Sequence, residues 1–197
     1  MKIQIGSFNC IADGWINTDV TPHIWLAKLP RAAWLLWKLG RMSDDRYSEH
    51  QRGTFKKLMY MNAAAKWPFK NACADAVFSS HVLEHLPLEG AKVCVSEAHR
   101  VLKPGGVLRI VVPDLDVEIR NFSSMNAMNW AITFFEATQT SEKNMHHFMY
   151  NYISLSEILI EAGFSKIRQT RFRDGKCPDL LSLDNRPESL FVEATKQ

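Results

Sequence analysis

The chain has 197 residues, of which 46% are hydrophobic and 23% charged, a composition typical of globular proteins. A chain of this length is expected to form one domain that buries about 70% of the surface exposed by its unfolded form. The formal net charge of +3 is too small to indicate a nucleic-acid partner. In addition, no basic cluster alternates with aromatic residues as a base-stacking surface requires, so we expect no nucleic-acid binding.

The spacing of the cysteines is informative about metal binding, and the apolar runs are informative about the location of the protein. The four cysteines are far apart, and no CxxC motif or Cys/His pair has the spacing of a zinc site, so no metal site is predicted. No apolar run reaches the ~18 residues that span a bilayer. Residues 1–6 have the pattern of a core strand rather than that of a signal peptide. A cytoplasmic location is therefore expected.

The first third of the chain predicts three strands, at residues 2–6, 14–20 and 56–62. The first two strands are so close in sequence that barely a turn or two of helix fits between them. Residues 21–55 interrupt the pattern. We interpret them as an inserted segment within a single domain that spans 1–197.

The inserted segment begins with an amphipathic pattern at residues 21–41. Pro30 divides this stretch into two short helices, which carry tryptophan and leucine on one side and lysine and arginine on the other. Such a pair suits a cap over a substrate pocket, which we favour, and a cap predicts buried rings at Trp34 and Trp37. The same pattern suits a helix that lies in a membrane interface, so membrane contact is the less favoured alternative.

The middle of the chain predicts a strand–helix–strand unit. Residues 75–78 form a short apolar strand, and a helical register with a buried face follows from Val82 to Ala98. The Lys-Pro-Gly-Gly run at 103–106 stops that helix. Residues 107–112 are a near-continuous apolar strand, which is typical of a parallel sheet covered on both faces. The polar residues that follow these strands stand where open α/β sheets bind ligands.

The last third of the chain predicts helices and a closing pair of strands. Residues 117–153 hold one or two helices, with 126–137 the clearest, and a further helix covers 154–163. Residues 164–173 and 189–196 are predicted to be strands.

Two runs in the middle unit carry a family resemblance. Leu-Glu-His-Leu at 83–86 is followed by Arg-Val-Leu-Lys-Pro-Gly-Gly at 100–106, and this combination resembles the class I S-adenosylmethionine-dependent methyltransferases, in particular their type 11 branch. Segments 67–69, 155–164 and 189–196 are similar to further parts of that family. The resemblance implies an α/β fold with a doubly wound, mostly parallel Rossmann-like sheet and an antiparallel C-terminal hairpin. It also implies S-adenosyl-L-methionine as cofactor and methyl transfer to a small-molecule or glycan-like acceptor.

The resemblance implies that the cofactor lies at the carboxyl ends of the first, second and fourth strands. Asp19 corresponds to the acidic residue that accepts hydrogen bonds from the ribose hydroxyls, and a carboxylate suits a diol because it only accepts. Asn62 stands where the family has an aspartate that contacts the adenine amino group. The cofactor-binding residues implied in this way are Gly6, Ser7, Phe8, Asp19, Asn62, Ala63, Ser80 and His81.

The glycine-rich turn of the family is incomplete in this chain. Gly6 keeps the first glycine, but Phe8 and Cys10 replace the second and third, where close approach of the cofactor favours a residue without a Cβ. Phe8 either crowds the methionine end of the cofactor or belongs to a loop that swings outward. Together with Asn62, these replacements support an alternative function as a catalytically inactive methyltransferase-like binding or scaffold domain.

Methyl transfer needs an aligned nucleophile and often a base. His85 is either a base over the site or a structural residue, and we favour the structural interpretation. Asp114 follows the fifth strand and is either a pocket carboxylate or a helix cap. The resemblance also implies that the segment at 146–150 lies at the mouth of the site. The candidate catalytic residues are therefore His85, His146, His147, Tyr150 and Asp114.

Overall fold

The centre of the protein is a seven-stranded mixed sheet in the computed structural model, which describes residues 1–136 and 145–197. Its strands are β1 (Lys2–Ile5), β2 (Ile16–Asp19), β3 (Leu58–Tyr60), β4 (Ala74–Ser80), β5 (Leu102–Val112), β6 (Lys166–Thr170) and β7 (Leu190–Thr195). Across the sheet they follow the order β3-β2-β1-β4-β5-β7-β6. The first five strands are parallel, and β7 is antiparallel to both β5 and β6. The predicted fold class, α/β with a mostly parallel sheet and an antiparallel C-terminal hairpin, is confirmed.

Within the described residues, helices lie in most of the connections between these strands. They are α1 (His23–Leu26), α2 (Pro30–Lys38), α3 (Asp44–Gln51), α4 (Leu88–Val101), α5 (Leu115–Asn121), α6 (Ala127–Phe135), α7 (Tyr152–Glu161) and α8 (Leu180–Leu183), with short 3-10 turns at Thr54–Lys57, Leu83–His85 and Ser124–Asn126. The helices predicted at 126–137 and 154–163 correspond to α6 and α7, and residue 137 lies outside the described residues. Helix α8 was not predicted, because its four residues are too few to show a helical period.

The helix predicted to start at Val82 begins only at Leu88. Leu86 precedes a proline and is extended, with φ −97° and ψ 140°, which is the conformation that the residue before a proline prefers. The segment Leu83–His85 therefore forms a separate 3-10 turn. This turn presents two chemically active side chains, those of Glu84 and His85, just beyond the carboxyl end of β4.

The Lys-Pro-Gly-Gly run at 103–106 was expected to lie between the helix and the next strand, but it lies within β5. The register between β4 and β5 shifts at this point, so the run forms an irregularity near the start of the strand. Gly105 has a φ of +82°, and a Cβ on Gly106 would lie 2.9 Å from the carbonyl oxygen of Lys103. Both positions therefore require glycine.

The two faces of the sheet are covered in different ways. Helices α4 and α7 contribute to the larger apolar cluster on one face. On the other face, residues 6–15 join β1 to β2 without a helix. Trp15, together with Leu180 and Leu183 of α8, packs there against apolar side chains of the sheet such as Phe191. The segment that contains α8 therefore takes the place of a crossover helix.

A fully buried arginine holds that segment against the sheet. Arg109 of β5 is 0% exposed, and its guanidinium forms ion pairs with Asp184 and Glu193. It also donates hydrogen bonds to the main-chain oxygens of Arg171 and Asp174, at 3.0 and 3.1 Å. Because a buried charge is tolerated only when it is paired and hydrogen-bonded, each of these groups depends on the others.

We expect Arg109→Ala to lower the free energy of unfolding by about 3–5 kcal/mol, because it leaves buried carboxylates without their partner. Chemical denaturation followed by tryptophan fluorescence measures this change. The matched control is Arg168→Ala: Arg168 pairs with the same Glu193 at 2.8 Å, but its side chain is 49% exposed. Its loss should cost below about 1 kcal/mol. Equal losses in the two variants would contradict the role given to Arg109.

The inserted segment folds against β3. Ile24 of α1 and Ala27, the residue that caps this helix, pack on Phe55 and Leu58 in a small apolar cluster. Helix α2 is attached to α3 by Trp37, whose ring is stacked on a tyrosine of α3 at a centroid distance of 4.6 Å. These contacts fix the insert at the β3 edge of the sheet.

The expectation that the insert buries its tryptophans is wrong for Trp34, whose exposed fraction is 47%. Trp25 and Leu35 are likewise exposed. Among the helices of residues 1–136 and 145–197, none combines the length and the apolar character needed to cross a membrane. The insert therefore presents large apolar side chains on its surface.

Candidate cofactor and acceptor site

The parallel pairing of β1, β2 and β4 brings the predicted cofactor residues to one edge of the sheet. Ile5 pairs with Thr18 of β2 and with Ser79 of β4. The residues that follow these positions, including Gly6, Asp19 and Ser80, therefore lie next to one another. This is the carboxyl edge of the parallel strands, where α/β sheets bind their ligands.

The turn after β1 requires a glycine at its first position. Gly6 has a φ of +64°, and a Cβ built there would lie 2.3 Å from the Cγ2 atom of Val82. The next residue, Ser7, is buried and donates its main-chain N–H to the carbonyl oxygen of Thr18 at 2.9 Å. Any larger side chain at Gly6 would displace Val82, so the turn and the start of the segment after β4 constrain each other.

The ring of Phe8 packs on the inserted segment. Its centroid lies 6.1 Å from that of Phe55, and the guanidinium carbon of Arg46 lies 4.3 Å from the ring centroid. The φ of Phe8 is +43°, a left-handed value that is uncommon for a bulky residue and costs on the order of 1 kcal/mol. Contacts with the insert offset this strain, so the turn is adapted to a phenylalanine at this position.

The carboxylate of Asp19 ties the turn to the end of β2. One of its oxygens accepts the N–H of Phe8 at 2.9 Å and the other accepts the N–H of Thr21 at 2.7 Å. Burial raises the pKa of Asp19, and these main-chain hydrogen bonds oppose the rise. Each oxygen has two lone pairs, so the carboxylate keeps acceptor capacity for two further hydroxyl donors.

The predicted adenine-side residues lie in the turn after β3. The side-chain oxygen of Asn62 accepts the N–H of Ala64 at 3.0 Å, and the Asn62 side chain is exposed. Ala63 is buried, and its carbonyl oxygen accepts the indole N–H of Trp67 at 3.1 Å. Asn62 thus acts as a turn former and retains one lone pair for a further donor.

His81 and Glu84 form the inner part of the site, beyond β4. His81 has a φ of +52°, its Nε2 atom lies 3.0 Å from the Ser189 hydroxyl, and its Nδ1 atom lies 2.9 Å from a carboxylate oxygen of Glu84. That last contact lacks hydrogen-bond geometry. Within the described residues, four buried side chains have an oxygen without a hydrogen-bond partner: Gln4, Ser79, Glu84 and Tyr150.

The candidate catalytic residues fall into two groups. His85 and His146 are side by side, with ring centroids 5.1 Å apart. Tyr150 is fully buried, and burial, with the nearby charge of Glu84, raises the pKa of its hydroxyl. The other two have contacts of a structural kind. The His147 side chain is exposed, and its main-chain N–H donates to the Glu84 carbonyl oxygen at 2.7 Å. Asp114 caps α5, since its carboxylate accepts the N–H of Asp116 at 3.0 Å.

Comparisons with known proteins agree with this architecture. Residues 42–110 match the family model described as a methyltransferase domain. This confirms the resemblance to the class I S-adenosylmethionine-dependent methyltransferases of the type 11 branch. The family implies S-adenosylmethionine as the cofactor. A comparison with curated protein sequences gave no match.

Solved structures share the fold at low sequence identity. A SAM-dependent methyltransferase from Thermotoga maritima, described as a possible histamine N-methyltransferase, is similar with a TM-score of 0.58 and 18% identity, over 100% of this chain and 82% of that one. A SAM-dependent methyltransferase from Archaeoglobus fulgidus gives a TM-score of 0.57 and 16% identity, over 99% of this chain and 85% of that one. A putative methyltransferase from Bacillus halodurans C-125 gives a TM-score of 0.52 and 17% identity, over 99% of this chain and 91% of that one. At such identities these likenesses show the methyltransferase fold.

We expect Asp19→Ala to weaken binding of S-adenosylhomocysteine by about ten-fold or more, because a charge-assisted hydrogen bond contributes about 1.5–3 kcal/mol. Isothermal titration calorimetry measures the affinity, and a thermal melt shows whether the variant is folded. Asp13→Ala is the matched control, since Asp13 is an exposed carboxylate in the link between β1 and β2. Equal affinity in folded Asp19→Ala and in wild type would exclude the ribose assignment.

We expect Phe8→Gly to lower the melting temperature and to leave the affinity for S-adenosylhomocysteine unchanged or weaker. The substitution removes the ring that packs on Phe55 and Arg46, and it makes the free loop more flexible. Phe8→Leu serves as the control, because it keeps an apolar side chain on the insert. If Phe8→Gly instead bound S-adenosylhomocysteine much more tightly than wild type, the ring would be shown to obstruct the cofactor.

Proposed function

We propose that this protein is an S-adenosylmethionine-dependent methyltransferase that acts on a small-molecule or glycan-like acceptor. The observation that carries the proposal is the junction of Gly6, Phe8 and Asp19. A glycine turn after β1 is joined by a hydrogen bond to a carboxylate at the end of β2, in a chain whose residues 42–110 match the methyltransferase family model. The glycan-like acceptor class rests on the resemblance of the sequence.

The residues at this edge suit the proposed cofactor. The Asp19 carboxylate keeps acceptor capacity for two ribose hydroxyls beyond its bonds to Phe8 and Thr21. The carbonyl groups near Ser80 and His81 lie beyond β4, where they can accept hydrogen bonds from an ammonium group. When bound, the cofactor supplies a methyl group attached to a positively charged sulfur.

Two imidazoles offer proton acceptors at the same edge. The Nδ1 atoms of His85 and His146 lie 3.2 and 2.7 Å from the main-chain oxygens of Met145 and Phe134. A carbonyl oxygen only accepts, so both Nδ1 atoms carry the hydrogen and both Nε2 atoms can accept a proton. Either residue can thus take the proton of an acceptor hydroxyl or amine. The complete burial of Tyr150 favours a structural role for that residue.

The alternative function is an inactive binding or scaffold domain. The replacements at Phe8, Cys10 and Asn62 favour it, while the packing of Phe8 on the insert weakens the argument from the loop. Calorimetric titration with S-adenosylmethionine and S-adenosylhomocysteine separates the two functions. Saturable binding of both, followed by formation of S-adenosylhomocysteine when a panel of hydroxyl and amine acceptors is added, supports the enzyme. Absence of cofactor binding would contradict it.

We also propose that the exposed side of α1 and α2 contacts an anionic membrane surface. Large apolar side chains, among them Trp25, Trp34 and Leu35, are exposed there, which is what the interfacial alternative requires. Basic residues of the same stretch complement anionic headgroups, at about 1 kcal/mol each near the surface; they are Lys28, Arg31, Lys38 and Arg41. The cytoplasmic location and the single-domain organisation, with an insert at about 21–55, stay predictions.

We expect the protein to sediment with vesicles that contain phosphatidylglycerol and not with vesicles of phosphatidylcholine alone. Trp25→Ala with Trp34→Ala should reduce sedimentation strongly and lower the melting temperature only slightly, because both rings are about half exposed. Trp37→Ala is the control for stability, since Trp37 stacks on α3 and should matter more for folding. No sedimentation of wild type with anionic vesicles would refute the proposed membrane contact.

A further inference from the structure

Three side chains with metal-binding atoms converge beside the 3-10 turn after β4. One ligand atom from each of Glu84, His85 and His146 lies within 4.8 Å of the other two. Glu84 and His85 are adjacent in the turn, and His146 comes from a distant part of the chain. The segment that carries His146 is fixed on the turn, because the N–H groups of His147 and Phe148 both donate to the Glu84 carbonyl oxygen, at 2.7 and 3.3 Å.

Both imidazoles are oriented as metal-ligating histidines usually are. The Nδ1–H groups of His85 and His146 are directed at main-chain carbonyl oxygens, those of Met145 and Phe134. Such an outer hydrogen bond fixes the tautomer, so that Nε2 is the atom with a free lone pair for a metal ion. The Nε2 atom of His146 also lies 3.5 Å from a carboxylate oxygen of Glu136, which adds acidic character to the same place.

The carboxylate of Glu84 gives an independent reason to expect a cation. Its side chain is 0% exposed, and within the described residues neither of its oxygens has a hydrogen-bond partner. An unpaired carboxylate that is buried is costly, and the usual compensation is a charge partner or a metal ion. The imidazole of His81 is near one of these oxygens without hydrogen-bond geometry, so it does not satisfy both of them.

We propose that Glu84, His85 and His146 bind a divalent transition-metal ion, with zinc as the best match. Two imidazole nitrogens and one carboxylate form the ligand set of catalytic zinc sites, which keep a fourth position open. The sequence predicted no metal site because it has no CxxC motif and no Cys/His pair with the spacing of zinc ligands. The three ligands here are assembled by the fold and have no such spacing.

The open position suits an oxygen atom of the methyl acceptor. A hydroxyl that coordinates the ion is oriented, and its proton is lost to solvent more readily because the ion lowers its pKa. With the ion bound, His85 and His146 act as its ligands and not as bases. This role in acceptor binding rests on the proposed function, whereas binding of the ion itself does not.

Metal binding is tested directly on the purified protein after treatment with a chelator. Titration with Co²⁺ should produce a saturable visible absorption band at one equivalent, and Zn²⁺ should displace Co²⁺ and abolish the band. Zn²⁺ should also raise the melting temperature, because an ion that binds only the folded state stabilises it. Absence of saturable binding to the metal-free protein would overturn the proposal.

Variants assign the ligands. Glu84→Gln and His146→Ala should each weaken Co²⁺ binding by roughly 10- to 100-fold or more. Loss of a residue that only hydrogen-bonds to a ligand already has an effect of this size, and these two residues are proposed as ligands themselves. The matched control is His147→Ala, since the His147 side chain is exposed and adjacent to a proposed ligand; it should bind Co²⁺ as wild type does. Wild-type affinity in both ligand variants would overturn the assignment.

Two further readouts keep folding and cofactor binding separate from metal binding. Without metal, Glu84→Gln should be at least as stable as wild type, because it removes a buried charge, yet Zn²⁺ should no longer raise its melting temperature. Calorimetry with S-adenosylhomocysteine on wild type tests the proposed function independently. Cofactor binding without metal binding overturns only the metal site, and metal binding without cofactor binding overturns only the enzyme.

Discussion

The buried guanidinium of Arg109 is the interaction on which the covering of one sheet face depends. In a doubly wound fold each face of the sheet must be covered, and the short link after β1 provides no helix for this purpose. The segment around α8 covers the face instead. Ion pairs and hydrogen bonds from Arg109 to Asp184, Glu193 and two carbonyl groups hold that segment in place. The C-terminal part of the chain thus stabilises the same strands whose far ends form the candidate site.

A second constraint acts at the carboxyl edge of the sheet. The turn at Leu83–His85 exists because Pro87 prevents the helix from starting earlier, and its Glu84 carbonyl oxygen then receives two N–H groups from the segment at 147–148. One carbonyl group therefore joins the segment at 147–148 to the turn that follows β4. The side chain of the same residue is buried among the candidate catalytic groups. A single substitution at Glu84 changes its carboxylate and leaves this main-chain junction intact.

The strands could be predicted from the sequence because their signals are local, and the fold class followed from the family resemblance. The apolar run at 107–112 and the polar residues after it define a buried parallel strand and its carboxyl end. Other features depend on partners that are distant in the sequence. Arg109 lies inside an apolar strand, and nothing near it shows that Asp184 and Glu193 will meet it in the core.

The candidate site shows the same division. The placement of Gly6 and Asp19 at one sheet edge followed from strand order, which the resemblance implied. The convergence of His146 with Glu84 and His85 did not, since it depends on how the segment after the helical region returns to the turn. The exposure of Trp34 also could not be predicted, because an amphipathic pattern shows which residues share a face and not what covers that face.

The inserted segment and the cofactor turn have to be considered as one unit. The main-chain N–H of Phe8 donates to Asp19, while its ring contacts Phe55 and Arg46 of the insert. A glycine at this position would keep the first contact and lose the second. The insert therefore stabilises a left-handed conformation at Phe8, and the geometry of the Asp19 carboxylate depends on packing at the β3 edge. Phe8 stands where the family that the sequence resembles has a glycine, and its ring has apolar contacts of its own. This departure from the motif is therefore poor evidence by itself for loss of cofactor binding.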